Sequence, residues 1–148
     1  MASGPYRRLA DTCSVACVTD LAPTPPVRVL VVDPDDRIRE SLSRLIRIGG
    51  RCLVVGTTGD AAEAISLTRA ISPDVVMVDH RLTVEGADGR IVDELRGAAP
   101  GTRIIVLNIS DSAGPPDTAT RADAYIRKTF RPHELIDAVI NAARPTVA

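Results

Sequence analysis

The chain has 148 residues, which is the usual length of one domain and enough to bury a hydrophobic core. Its formal net charge is -1 and its charges alternate in sign, so no overall field favours nucleic acid or an anionic membrane. Aromatic residues make up only 2% of the chain. The core is therefore expected to be aliphatic, as it is in parallel strands that helices cover on both faces.

The first 26 residues are rich in Ser, Thr, Ala and Pro and end in a proline cluster. This composition predicts a flexible N-terminal tail over residues 1–26 and a single domain over residues 27–144. Cys13 and Cys17 would share one face of a helical turn, but no further metal ligands lie nearby, which favours plain tail residues. Three cysteines do not make a disulfide framework, and no apolar run is long enough to cross a membrane. We therefore predict a cytoplasmic protein.

From Val27 onward, aliphatic runs alternate with amphipathic segments. The predicted strands are residues 27–32, 52–55, 74–78, 103–107 and 124–127. The first predicted helix runs from Ile38 to the Gly49-Gly50 stop, and the second is capped by Asp60 and ends before Pro73. Two further helices are predicted over residues 91–96 and 132–143. Residues 110–120 contain a Gly-Pro-Pro run, so any helix there is expected to be short or irregular.

Five strands that alternate with helices predict an α/β fold in which helices cover both faces of a parallel sheet. Ligands bind such sheets outside the carboxyl ends of the strands, where Asp33, Asp79, Asn108 and Lys128 follow four of the predicted strands. The two acids could bind a divalent cation, and Lys128 could pair with an anion such as a phosphoryl group. An Asp there could also accept a phosphoryl group as a nucleophile. Asp33 has a structural alternative as the N-cap of the first helix, with Pro34 at its first position.

These strand ends resemble those of the response-regulator receiver family of two-component signalling. The matching stretches are residues 29–33, 73–79, 88–89 with the helix that follows, and 122–128. The resemblance covers residues 27 to about 143. It implies a flavodoxin-like (βα)5 fold with the strand order 2-1-3-4-5.

The resemblance also implies a role for each matching residue. Asp79 would be the phosphoacceptor, and Asp33, Asp79 and the backbone carbonyl of Arg81 would hold Mg²⁺. Lys128 would contact the phosphoryl group, and Tyr125 would be the aromatic residue that changes position when the domain switches. The implied partners are a sensor histidine kinase or a phosphotransfer protein, together with a downstream protein target. A homodimer is left open. We expect no direct contact with nucleic acid or membrane, and no enzyme activity beyond self-phosphorylation and self-dephosphorylation.

Among the departures from the family pattern, two concern the candidate site directly. Pro34 replaces the second of two adjacent acids, so Asp35 is a candidate substitute ligand, although its place near the helix start also suits the helix dipole. Asn108 replaces the small hydroxyl residue that normally contacts the phosphoryl group. These departures leave two functions open. The chain is either a phosphorylation-dependent switch or a pseudo-receiver that binds its partners without phosphorylation.

A third alternative is a phosphatase of the haloacid-dehalogenase type. Asp33-Pro34-Asp35 fits the Asp-x-Asp signature of that class, and Asp33 would then be the nucleophile in place of Asp79. The residues that follow are not the small and aliphatic pair expected there. No acidic pair follows Lys128 at a strand end. These differences make the phosphatase the least favoured of the three functions.

Overall fold

The computed structural model describes residues 24–82, 91–108, 122–128 and 131–144. In these ranges the elements are, in chain order, β1 (Val27–Val32), α1 (Asp36–Arg47), β2 (Cys52–Thr58), α2 (Ala61–Ile71), β3 (Val75–Asp79), α3 (Ile91–Ala98), β4 (Arg103–Asn108), β5 (Ala124–Arg127) and α4 (Pro132–Ala143). The five strands form one parallel sheet in the order β2-β1-β3-β4-β5. The predicted flavodoxin-like α/β fold is confirmed.

Side chains alternate between the two faces of the central strands, and each face carries its own hydrophobic cluster. In β1, Val29 and Val31 face the cluster that α1 and α4 cover, whereas Leu30 and Val32 face the cluster that α2 and α3 cover. All four are fully buried. The sheet is therefore covered by helices on both faces, which leaves its edge at the carboxyl ends of the strands to carry a site.

The predicted bounds are confirmed for β1, β5 and α4, and the largest difference lies in β2. This strand continues to Thr58 because a bulge opposite Val29 and Leu30 skips Val55 in the pairing with β1. Gly56 follows the bulge, and a Cβ there would lie 3.1 Å from the Leu30 Cδ1 atom. Glycine in this strand therefore allows close packing and does not end the strand.

Two other predictions fall outside the described residues. These are most of the N-terminal tail, with Cys13 and Cys17, and the short helix within residues 110–120. None of the helices in the described ranges is long and apolar enough to cross a lipid bilayer.

Candidate functional site

The carboxyl edge of the sheet brings together the four residues that the sequence placed there. Asp79 and Asn108 are the last residues of β3 and β4, whereas Asp33 and Lys128 directly follow β1 and β5. Parallel pairing aligns these ends, since Asp79 pairs with Leu107 and Asn108 pairs with Arg127. All four side chains are buried. The predicted convergence is confirmed.

Lys128 joins the two aspartates. Its Nζ atom donates to Asp33 Oδ2 and to Asp79 Oδ2, and all three side chains are almost completely inaccessible to solvent. The Lys128 backbone N–H donates to the Asn108 carbonyl at 2.6 Å, which fixes the chain just beyond β5. Because removing charges from water is costly, these three groups depend on one another for compensation. In this cluster one buried lysine side chain is shared by two buried carboxyl groups.

Asp79 also accepts hydrogen bonds from the Arg81 side chain, a contact that was not predicted from the sequence. The Arg81 backbone N–H donates to Asp79 Oδ1 at 2.7 Å, and its guanidinium donates from Nε to Oδ1 at 3.0 Å and from the terminal nitrogen to Oδ2 at 3.2 Å. Burial raises the pKa of Asp79, but the hydrogen bonds from Arg81 and Lys128 together lower it by more. The pKa of Asp79 therefore lies below the usual value. Asp79 is therefore held as a carboxylate.

The loop after β1 uses its acids differently from the structural alternative that the sequence offered. Asp35, and not Asp33, is the N-cap of α1, and its carboxylate accepts hydrogen bonds from the Arg37 and Ile38 backbone N–H groups. The N-cap interpretation of Asp33 is therefore wrong. Asp33 Oδ1 instead accepts a hydrogen bond of 2.8 Å from the Asp35 backbone N–H, and Asp33 Oδ2 accepts one from the Lys128 ammonium group.

Two further side chains, those of Arg39 and His80, lie near these acids. The Arg39 side chain, on α1, donates a hydrogen bond of 2.7 Å to the Asp33 carbonyl oxygen. A Cβ at Gly59 would lie 3.1 Å from the same oxygen. His80 Nδ1 lies 3.3 Å from the Leu107 carbonyl oxygen and 3.7 Å from Asp79 Oδ1. Arg39 and Gly59 therefore confine the backbone at Asp33, and His80 joins the surroundings of Asp79.

Asn108 and Tyr125, both singled out in the sequence, are in direct contact. The Asn108 side-chain amide donates to the Tyr125 hydroxyl oxygen at 2.5 Å, which connects the end of β4 to the partly buried Tyr125 on β5. An amide is long enough to reach this hydroxyl. The position that carries a small hydroxyl residue in the family thus holds the aromatic side chain directly.

This hydrogen bond can be measured with a double-mutant cycle. Asn108→Ala and Tyr125→Phe are expected to show a coupling of about 0.5–1.5 kcal/mol in the free energy of urea unfolding, because each change removes one partner of the same bond. Tyr125→Phe combined with Arg44→Ala, a change at an exposed residue of α1, serves as the control and should be additive. Full additivity of the Asn108 and Tyr125 changes would contradict the contact.

The donor set of the site can be tested against the Mg²⁺ that the resemblance implies. Mg²⁺ in proteins is usually held by one or two carboxylates together with waters, and Asp33 and Asp79 supply two that converge on one ammonium group. Within the described part of the chain, no group of three or more His, Cys, Asp or Glu side chains could hold a metal. Asp35 is used as the helix cap. The residues therefore fit a site with two carboxylates, without a third acid.

Paired acids bridged by a lysine at the carboxyl edge of a 2-1-3-4-5 sheet define a receiver domain of the signalling type. Residues 29–140 match the family model of the response regulator receiver domain, and the chain belongs to this family. The family assignment sets aside the phosphatase of the haloacid-dehalogenase type.

Individual relatives and solved structures agree with this assignment. The chain is 30% identical over 121 residues to the transcriptional regulatory protein LiaR of Bacillus subtilis, covering 80% of this chain and 56% of LiaR. The signal receiver domain of NarL from Mycobacterium tuberculosis superposes with a TM-score of 0.68 at 28% identity, covering 81% of this chain and 98% of that one. The response regulator domain of Thermotoga maritima CheB gives a TM-score of 0.66 at 27% identity, covering 80% and 96%.

The relatives correct one expectation about partners. The chain is 31% identical over 111 residues to the DNA-binding response regulator MtrA of Mycolicibacterium smegmatis, covering 74% of this chain and 47% of MtrA. The chain thus spans about half the length of the curated relatives it matches. The expectation of no direct contact with nucleic acid is contradicted by these relatives. It rested in part on the net charge of this chain, which carries no information about the output of a regulator.

Proposed function

We propose that this receiver domain accepts a phosphoryl group on Asp79 and acts as a phosphorylation-dependent switch. The observation that carries the proposal is the buried bridge from Lys128 to Asp33 and Asp79. It keeps a carboxylate ionised at the end of β3, with an ammonium group beside it for an incoming anion.

The chemistry is a phosphoryl transfer to a carboxylate. An Asp79 oxygen forms a bond to phosphorus, and the bond between phosphorus and the donor's leaving group breaks, so that an acyl phosphate forms. Lys128 then exchanges its contact with Asp79 for one with a phosphoryl oxygen. Mg²⁺, held by Asp33, Asp79 and the backbone carbonyl of Arg81, would neutralise part of the phosphoryl charge when it is bound.

The signal would leave the site through the contact between Asn108 and Tyr125. A phosphoryl group on Asp79 adds negative charge and acceptor oxygens at the end of β3, next to β4 in the sheet. A turn of the Asn108 amide toward those oxygens would break its hydrogen bond to the Tyr125 hydroxyl. Tyr125 would then be released on β5, which gives the switch its mobile aromatic side chain.

Phosphorylation is tested by intact-mass measurement with Mg²⁺ and a small phosphodonor, either acetyl phosphate or phosphoramidate. The native protein is expected to gain one phosphoryl group, and the isosteric Asp79→Asn variant none. Asp33→Asn should react slowly and recover with extra Mg²⁺, whereas Asp137→Asn, an exposed acid on α4, should behave as the native protein. Labelling that persists in Asp79→Asn would place the acceptor elsewhere.

A phosphorylation-independent pseudo-receiver is the second candidate, and one observation favours it. Asp79 already receives donors from both Arg81 and Lys128, so it is fully compensated without a phosphoryl group. Failure of the native protein to gain mass with either donor would support this candidate. The next step would then be a search for partners that bind the unmodified protein.

The output is proposed from the relatives. Because curated relatives are named transcriptional regulatory or DNA-binding response regulators, we infer that the state of this domain controls a DNA-linked output. The control would pass through protein contacts, within one polypeptide or between two.

A further inference from the structure

We propose that the Arg81 guanidinium is a built-in counter-cation that competes with a divalent metal ion for the Asp79 and Asp33 carboxylates. The inference rests on the proposed function, because it concerns how the same site takes up its metal. It assigns to the Arg81 side chain a role that is separate from that of its backbone carbonyl.

The first argument is the charge of the groups in contact. Asp33 and Asp79 contribute two negative charges, and Lys128 contributes one positive charge. The second positive charge comes from Arg81, whose guanidinium contacts both Asp79 oxygens and lies 3.9 Å from Asp33 Oδ1. The four groups are therefore neutral together. A divalent cation would gain little attraction from this set unless one of the two cations left it.

The second argument is the hydrogen-bonding capacity of Asp79. An ionised carboxylate offers about four lone-pair positions. Four donors already use them, namely the Arg81 backbone N–H, two guanidinium N–H groups and the Lys128 ammonium. A metal ion can bind Asp79 only by displacing one of these donors.

The third argument identifies the donor that leaves. The Lys128 side chain is only 2% exposed, whereas the Arg81 side chain is 49% exposed. Arg81 can therefore turn into solvent at low cost, since an exposed guanidinium is well hydrated, while Lys128 cannot. Asp35 is not available as an additional metal ligand, because its carboxylate caps α1.

The test measures binding of Mn²⁺, as a probe for Mg²⁺, by the electron paramagnetic resonance signal of the free ion and without any phosphodonor. Arg81→Gln and Arg81→Ala are expected to lower the dissociation constant about three- to tenfold, because the ion no longer displaces a guanidinium. Arg81→Lys keeps the positive charge and should change the constant less. Arg44→Ala, which removes an exposed charge of α1, is the matched control and should change it little.

The location of the ion can be read from one signal. Lys128 is the only lysine in the sequence, so selective ¹⁵N-lysine labelling gives a single amide signal at the site. Mn²⁺ should broaden this signal at lower concentrations in Arg81→Gln than in the native protein.

Equal dissociation constants for native protein, Arg81→Gln and Arg81→Ala would overturn the inference. Tightening in Arg81→Lys as large as in Arg81→Gln would overturn it too, as would tightening without broadening at Lys128. Tighter Mn²⁺ binding in a protein that never gains a phosphoryl group would support the inference while the proposed function fails. Phosphorylation of the native protein with unchanged metal binding in the variants would give the reverse result.

Discussion

Lys128→Met is expected to lower the free energy of unfolding by about 3–5 kcal/mol, because it leaves two buried carboxylates without their shared cation. Methionine keeps the length of the apolar stem, so the loss reports on the charge and not on a cavity. Both Asp33 and Asp79 are inaccessible to solvent, and Arg81 alone reaches only one of them at hydrogen-bond distance. The measurement is urea unfolding at neutral pH, followed by circular dichroism.

Two controls separate the buried charge from general effects of the substitution. Arg44→Met changes a side chain that is 75% exposed on α1 and should cost less than about 0.5 kcal/mol. Adding Asp33→Asn and Asp79→Asn to Lys128→Met removes the stranded charges and should recover most of the lost stability. A cost below about 1 kcal/mol for Lys128→Met alone would contradict the arrangement described here.

The convergence of the site could be predicted from the sequence because it follows from topology alone. Aliphatic runs that alternate with amphipathic segments define a parallel sheet, and parallel strands end at a common edge. Asp33, Asp79, Asn108 and Lys128 each stand at the end of such a run, so their meeting needs no knowledge of side-chain conformation. The same reasoning gave β1, β5 and α4 their correct bounds.

The contacts of long side chains could not be predicted in this way. Arg81 lies two residues beyond Asp79, after the strand has ended, where the alternation of faces no longer applies. Its position depends on the local electrostatic field, which exists only once the acids are assembled. An arginine two residues after a buried acid at a strand end is the signal that could have identified it.

Local competition explains the differences near β1 and β2. The Asp-Pro-Asp-Asp segment contains three acids that could cap α1. Asp35 is the cap because the backbone leaves β1 in a direction that places the Arg37 and Ile38 N–H groups beside its carboxylate. In β2, Gly56 is typical of a strand end in sequence, yet the bulge at Val55 lets the strand continue to Thr58. Neither outcome is contained in residue preferences alone.

In the presence of a chelator, so that no metal is bound, the protein is expected to lose stability in acid because of Asp79. Its pKa is lowered below the ordinary value of 3.8, since burial raises it but hydrogen bonds from Arg81 and Lys128 lower it more. A carboxyl group whose folded-state pKa is depressed adds stability above its unfolded-state pKa. That stability is lost as the pH falls through the folded-state pKa. Stability should therefore decline below about pH 4, where the Asp79 carboxyl group of the unfolded chain takes up a proton while that of the folded protein stays ionised.

The measurement is the free energy of urea unfolding from neutral pH down to about pH 3, for native protein and Asp79→Asn. Asp79→Asn is expected to be less stable at neutral pH but to show a shallower decline below about pH 4, because its side chain cannot be protonated there. Asp137→Asn, which removes an exposed acid, should follow the native slope more closely. Parallel curves for native protein and Asp79→Asn would mean that other groups control acid unfolding.

Because the same donors hold Asp79 ionised and occupy its oxygens, a shallower slope in Arg81→Gln would link this acid response to the competition for metal.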